Sequence, residues 1–296
     1  MFHQRTAAMV ASVTALVLVT LKLGVGFATG TLSLLASAAD SAFDLIISLF
    51  NYLVLKTSDK PSDEDYNYGR GKLEALASIV EGLIIFASAL VIMVSAIKRL
   101  IVATPLQQVD IATWTMGFSL AATVFLVLYL NHVAKLTKNM VIEADVLHYK
   151  ADLLSNSGIL IALVAVQYTG WTSIDAIVSI GVAGYLVYAT IPLIRKGFHM
   201  IMDRALSPDI VQTIREIMES EPGLNSFHEL RTRQSAGIHF VDVHLVFTRT
   251  ISLLDAHTIA DRIAAKIREI SNCRWMINMH MDPTDDSKKE SNLTKI

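Results

Sequence analysis

Six long apolar blocks decide what this chain can fold into. A hydrocarbon core about 30 Å thick is crossed by roughly 20 mostly apolar helical residues. Ala7–Ala28, Ser33–Leu55, Ala75–Ile97, Ile111–Val133, Val146–Tyr168 and Ile174–Ile194 all reach that length. Soluble domains instead scatter their apolar residues in short periodic runs. The first block is too long for the apolar core of a signal peptide. It reads as a span that stays. The chain is therefore expected to be a multi-pass protein in contact with a lipid bilayer.

Charge excludes some classes. Basic and acidic residues number 25 and 27, so nothing argues for nucleic acid as a partner. Cys273 is the single cysteine, which rules out a disulfide within the chain and any CxxC site. Basic residues near the span ends set orientation. Lys56, Lys60, Arg70 and Lys72 follow the second span, Lys135 and Lys138 the fourth, and Arg195, Lys196 and Arg204 the sixth. The turns at 29–32 and 169–173 carry none, and Lys98 and Arg99 dissent. The bias places both termini in the cytoplasm.

After about Asp203 the pattern changes. Residues 203–284 read as a separate small domain behind a transmembrane domain at 1–202, and the polar tail 285–296 is expected to be disordered. Ser207-Pro208-Asp209 starts a helix, with serine as cap and proline in the first turn. Pro222-Gly223 ends it. Residues 226–233 and 238–248 alternate as strands around a turn near Ser235–Gly237. Ser252 to Asp255 resembles a capping box opening a second helix, and Trp275–Met281 is a last strand. The order α-β-β-α-β predicts an α+β domain with helices on one face of a sheet.

Two polar pairs interrupt the membrane blocks. An acid at mid-membrane costs roughly 2.5–3.5 kcal/mol on insertion scales. The second span nevertheless carries Asp40 and Asp44, and the fifth carries His148 and Asp152. Four residues turn a helix by about 400°, so each pair shares one face. Packed together, the pairs offer three carboxylates and one imidazole, a four-ligand set suited to Zn2+. Three ionised carboxylates around a neutral imidazole are unfavourable in low dielectric unless a cation or protons join them. Metal/proton exchange by alternating access follows as the expectation. Interhelical bonding without metal, or a pathway for protons or Na+, stays open as an alternative. Glu81 lies in the third span and can face a cavity. Lys22, Asn51 and Asn156 read as glue between helices, and Asp175 as interfacial.

The small domain holds a second set: His228, His244, His257, His280 and Asp282. Val241, Val243, Leu245 and Phe247 take the core face of their strand, so His244 points away from it. His280 and Asp282 share a face by the same period. His257 sits near the start of a helix, off its apolar side. Together these residues point to metal binding; His239 falls on the core face and is left out. His3, His132 and His199 look unpaired.

These features resemble the cation diffusion facilitator family, and within it the bacterial zinc and ferrous-iron efflux pumps. The resemblance covers about 7–283 and rests on SLLASAADSAFDLIIS, YGRGKLEALA, EADVLHYKADLLSNSG, IMDRAL, HELRTRQSAG and HMDP. It implies a homodimeric, proton-coupled exporter of Zn2+, with Fe2+, Cd2+, Co2+ and Mn2+ as other candidate cargo. The setting would be the bacterial cytoplasmic (inner) membrane. It implies six transmembrane helices followed by a metallochaperone-like cytoplasmic domain. By the same resemblance the transport site falls on Asp40, Asp44, His148 and Asp152. A binuclear cytoplasmic zinc site, structural or regulatory, falls on His228, His244, His257, His280 and Asp282, with Asp282 bridging. A charge interlock falls on Lys72 and Asp203. The family's membrane-surface site keeps only Asp63, because Tyr66 and Arg70 stand where two histidines belong, and Arg cannot ligate a cation. An enzyme is not expected: HExxH is absent, and four protein ligands leave no place for a catalytic water. A membrane-anchored zinc sensor or intramembrane metalloenzyme remains the alternative reading.

Overall fold

The apolar blocks become six helices of 26–30 residues: α1 (Phe2–Thr29), α2 (Leu32–Ser58), α3 (Lys72–Ile101), α4 (Ala112–Thr137), α5 (Met140–Thr169) and α6 (Ser173–Ile201). The computed structural model describes residues 2–30, 32–101, 112–169 and 173–285. The expected tail beyond Asp285 and the side chain of Asp175 lie outside what is described. By length and composition, α1, α2, α3, α4 and α6 can each cross a membrane. α5 is not among these five; its first half carries Glu143, Asp145, His148, Lys150 and Asp152. Two of them, His148 and Asp152, belong to the membrane site described below.

The chain divides into two compact units, Met1–Phe198 and His199–Ile296. In the first, Ala7, Ala8 and Ala11 of α1 pack with Leu126 and Leu130 of α4 and Ile142 and Val146 of α5. Small side chains let helix backbones approach where lipid gives no hydrophobic drive to associate. α3 and α6 come closest at two glycines. A Cβ added at Gly197 would stand 2.5 Å from Ile79 Cγ1, and one added at Gly82 2.7 Å from Ile194 Cγ1.

Polar side chains lock the ends of three helices together. Asn139 caps α5: its Oδ1 accepts from the backbone N–H of Val141 at 3.0 Å and of Ile142 at 3.3 Å. Its Nδ2 donates to Glu74 Oε2 of α3 at 2.9 Å, and Ser58 Oγ of α2 donates to Glu74 Oε1 at 2.7 Å. Both oxygens of this buried carboxylate are thereby bonded. Lys22 of α1 donates to Ser41 Oγ of α2 at 2.7 Å, the interhelical glue expected of it, whereas Asn156 is exposed.

The second unit follows the expected α-β-β-α-β order: α7 (Pro208–Glu219), β1 (Ser226–Ser235), β2 (Ile238–Val246), α8 (Leu253–Glu269) and β3 (Arg274–Asp282). β1 and β2 are antiparallel, joined by Ala236 and Gly237, both with positive φ, as a tight two-residue hairpin requires. β3 pairs parallel to β2, which needs a long crossover, and α8 supplies it. Ile214 and Met218 of α7, Val241, Val243 and Leu245 of β2, and Ile263 and Ile267 of α8 form the core. Ser252 Oγ accepts from the Asp255 N–H at 3.1 Å, as the capping box predicts. The cap expected of Ser207 does not form; its side chain makes no capping bond. Pro208, whose φ is preset for a helix, starts α7 instead.

Glu221 is a buried tie in this unit, accepting from Arg262 Nε at 2.8 Å and Lys266 Nζ at 2.7 Å. Burial alone would push its carboxyl up, but the bonds from Lys266 and Arg262 outweigh it and hold the group below the usual value. Its contribution is therefore complete above the unfolded value of about 4.3 and is lost as pH falls through the lower folded value. Glu221→Gln is expected to destabilise the unit by about 2 kcal/mol at neutral pH and to flatten its acid limb. Thermal melts of the full chain from pH 3 to 7 check this; an unchanged melting curve at both ends contradicts it.

Candidate metal centres

The membrane centre forms between α2 and α5. Asp44 and His148 lie on facing sides of the two helices, with His148 Nε2 3.1 Å from Asp44 Oδ1. Asp152, one turn along α5, places Oδ2 3.8 Å from the same nitrogen. One ligand atom from each of Asp44, His148 and Asp152 falls within 4.8 Å of the other two. Asp152 Oδ2 is buried and has no hydrogen-bond partner, which is uncommon for a buried carboxylate oxygen. Tyr149 braces the helix pair by a 2.7 Å bond to Ser48 Oγ and stands edge-on to the His148 ring. Asp40 is not part of this cluster. It is exposed and lies one turn before Asp44 on α2, close enough for its charge to act on Asp152.

Another polar cluster lies two turns along α2 from Asp44. Asn51 Nδ2 donates to Glu81 Oε2 of α3 at 2.9 Å and to Asp145 Oδ1 of α5 at 2.7 Å. Sequence reasoning noted Glu81 and Asn51 separately and missed Asp145. Apolar counting starts the fifth span at Val146 and leaves Asp145 outside it. Its position three residues before His148 was the available signal.

The second centre is built by sheet register. Antiparallel pairing sets His228 opposite His244, and parallel pairing sets His244 opposite His280, giving a row of three imidazoles across the sheet. A bulge between His228 and Arg231, with Glu229 at φ 50°, brings His228 into that row. Ring centroids are 4.9 Å apart for His228–His244 and 4.8 Å for His244–His280. Asp282, two residues beyond His280 on the same face, sits in their midst. Its Oδ2 lies 2.9 Å from His244 Nδ1 and 3.4 Å from His228 Nε2, and its Oδ1 lies 3.1 Å from His280 Nε2. His228, His244 and Asp282 offer converging ligand atoms within 4.8 Å. Two imidazoles and a carboxylate fit Zn2+ by ligand chemistry. His257 stands apart on exposed α8, 3.6 Å from Asp261, because that helix turns its buried side to the sheet and His257 lies on the other. His239 is buried against Trp275, and burial lowers its pKa, so it stays neutral in the core.

At the surface, Asp63 is already engaged. Arg70 Nη1 lies 2.7 Å from its Oδ2, and the Tyr66 N–H donates to its Oδ1 at 2.9 Å. The Arg70 bond, then the Tyr66 N–H, holds its carboxyl below the usual range. Arg70 also stacks 4.0 Å over the Tyr66 ring. The residues that replace the expected histidines thus occupy the acid themselves. Asp203 lies 3.4 Å from Arg233 within its own unit.

With these geometries in hand, similarity to known proteins decides the family. Residues 8–202 match the cation efflux transmembrane domain, and residues 206–284 match the cation efflux protein cytoplasmic domain. The chain belongs to the cation efflux family. Curated relatives align almost end to end. The cation-efflux pump FieF of Yersinia enterocolitica is 35% identical over 287 residues, covering 97% of this chain and 95% of the relative. The FieF pumps of Pectobacterium carotovorum and Citrobacter koseri are 36% and 34% identical, each covering 94% of this chain and 92% of the relative. This cation efflux chain is therefore a multi-pass membrane protein with a C-terminal α+β unit, as its sequence led one to expect.

Proposed function

We propose that this chain exports divalent transition-metal cations, Zn2+ foremost, across the bacterial inner membrane in exchange for protons. The observation that carries the reading is the meeting of Asp44 Oδ1, His148 Nε2 and Asp152 Oδ2 between two membrane helices. Carboxylates inside a membrane are costly, so their meeting with an imidazole at one point supports a site for a cation. Asp40 completes the ligand set in this reading, making three carboxylates and one imidazole. A doubly charged ion leaves one excess negative charge, and protons replace the ion when it departs. That exchange supplies both coupling and release.

The names of the relatives, all cation-efflux pumps, support the direction. In this reading the chain works as a homodimer with both termini in the cytoplasm. The His228/His244/His280/Asp282 cluster holds a resident Zn2+ there, supplying charge neutralisation and a cross-link between strands. Because Asp63 is bonded to Arg70, the membrane site works without a surface ligand group beside it.

The test is Zn2+ flux into proteoliposomes that trap a zinc dye and a pH dye. Flux is expected to rise when a pH gradient is imposed, and zinc entry is expected to shift lumenal pH in the opposite sense to counter-moving protons. Flux indifferent to the gradient, with lumenal pH unmoved, contradicts exchange. Vesicles no more permeable than empty ones contradict transport altogether and favour a sensor.

A further inference from the structure

α2, α3 and α5 share a polar seam with three levels. The Asp44/His148/Asp152 triad is the first. Ser58, Glu74 and Asn139 form the last, where every oxygen of the carboxylate is bonded. The level between them, Asn51, Glu81 and Asp145, is different. These three side chains are 0%, 2% and 0% exposed. Two carboxylates share one neutral amide, and among the described residues neither has a Lys or Arg ion-pair partner. One oxygen of each group is left over: Asn51 Oδ1, Glu81 Oε1 and Asp145 Oδ2 are all buried with no hydrogen-bond partner. Three unbonded buried oxygens on side chains that bond one another are rare in a folded interior, and each costs desolvation energy. The basic group that both carboxylates feel, His148, is already bonded to Asp44, so the pair is left short of the neutralisation that a cation supplies.

We propose that Asn51, Glu81 and Asp145 form a second divalent-cation site inside the membrane unit, two turns along α2 from the triad. Turning the Asn51 amide about its last torsion replaces the donating Nδ2 by the unbonded Oδ1 and completes an oxygen-only ligand set. Two carboxylates and an amide carbonyl suit hard divalent ions such as Mn2+, unlike the imidazole-bearing triad. Seven residues of α2, about 10 Å, separate Asp44 from Asn51. The site therefore lies one short step along the seam from the triad, on the side of the α2 C-terminus. That it is a station for the exported ion rests on the transport reading; that it binds an ion does not.

The experiment counts Mn2+ bound at equilibrium to the full-length chain in lipid nanodiscs, from the loss of the free-ion EPR signal. The double variant E81Q/D145N is expected to hold one ion fewer than the parent chain. D44N/D152N is expected to keep that ion. E81Q alone leaves an acceptor oxygen for Asn51, so the fold has every reason to survive, and it is expected to weaken the site at least about tenfold. An unchanged count and affinity in E81Q, or in the double variant, overturns the site. A melting-temperature drop with the ion count intact does so too, since it marks the cluster as merely structural. Absence of zinc flux in the parent chain leaves this count untouched and tells against the exporter reading only.

Discussion

Asp44→Asn is expected to abolish zinc flux in proteoliposomes while the chain still folds and inserts. Asn keeps the size and one acceptor oxygen of the carboxylate but removes its charge, so the 3.1 Å contact with His148 is no longer one between an ion's ligands. Losing an outer partner of a metal site typically costs 10–100-fold, and losing a direct charged ligand costs more than about a hundredfold. Asp152→Asn is expected to act alike, because its Oδ2 waits unbonded beside the same imidazole. Asp40→Asn separates two ideas. If the triad alone holds the ion, flux survives within a few-fold; if Asp40 closes the ligand shell, flux falls as far as for Asp44. Initial rates measured at matched protein density decide among these. Flux of Asp44→Asn within about threefold of the parent chain is incompatible with the site.

The second large effect concerns Asp282. Its carboxylate meets His228, His244 and His280 together, so Asp282→Ala removes the group around which the row is built. Zinc bound by the full chain is expected to fall by at least one ion. At free zinc a hundred times its dissociation constant, a bound ion stabilises its domain by about 2.7 kcal/mol, and Asp282→Ala is expected to lose that gain entirely. The check is a pair of thermal melts with and without zinc. In the parent chain the transition of the C-terminal unit rises on adding zinc; in the variant it stays put. Zinc-dependent stabilisation that persists in Asp282→Ala contradicts the assignment. His257→Ala distinguishes the ring seen here from the wider set first expected. With His257 paired to Asp261 on exposed α8, its loss is expected to leave the zinc count of a single unit unchanged.

Much of this was legible in the residues because periodicity reports faces directly. The helix pairs Asp40/Asp44 and His148/Asp152 announced which side of each helix is polar. Alternation along 238–248 announced that His244 leaves the core, and a fixed strand period linked His280 to Asp282. What periodicity does not report is depth and register. Asp40 and Asp44 share a face, yet the converging ligand atoms are those of Asp44, His148 and Asp152. The helical period sets His257 off the apolar side of its helix, but which strand row that side meets depends on three-dimensional packing. His228 reaches His244 only through the bulge at Glu229, and nothing local in HELRTR marks it. Asp145 was lost to a boundary: apolar counting started the span at Val146, while the capping by Asn139 starts the helix at Met140 and carries Asp145 inside. Buried charges at span ends are hidden from hydropathy for that reason, since they lower the very signal used to find the span.

The central claim is that one ion sits among Asp44, His148 and Asp152 within the membrane. Zinc K-edge absorption on the full-length chain in nanodiscs tests it most directly, with the cytoplasmic cluster disabled by Asp282→Ala and His244→Ala. The account predicts a four-coordinate shell of nitrogen and oxygen at about 2.0 Å, with the outer-shell signature of a single imidazole that vanishes in His148→Ala. An oxygen-only shell, or a spectrum unchanged by His148→Ala, would place the ion elsewhere and contradict it.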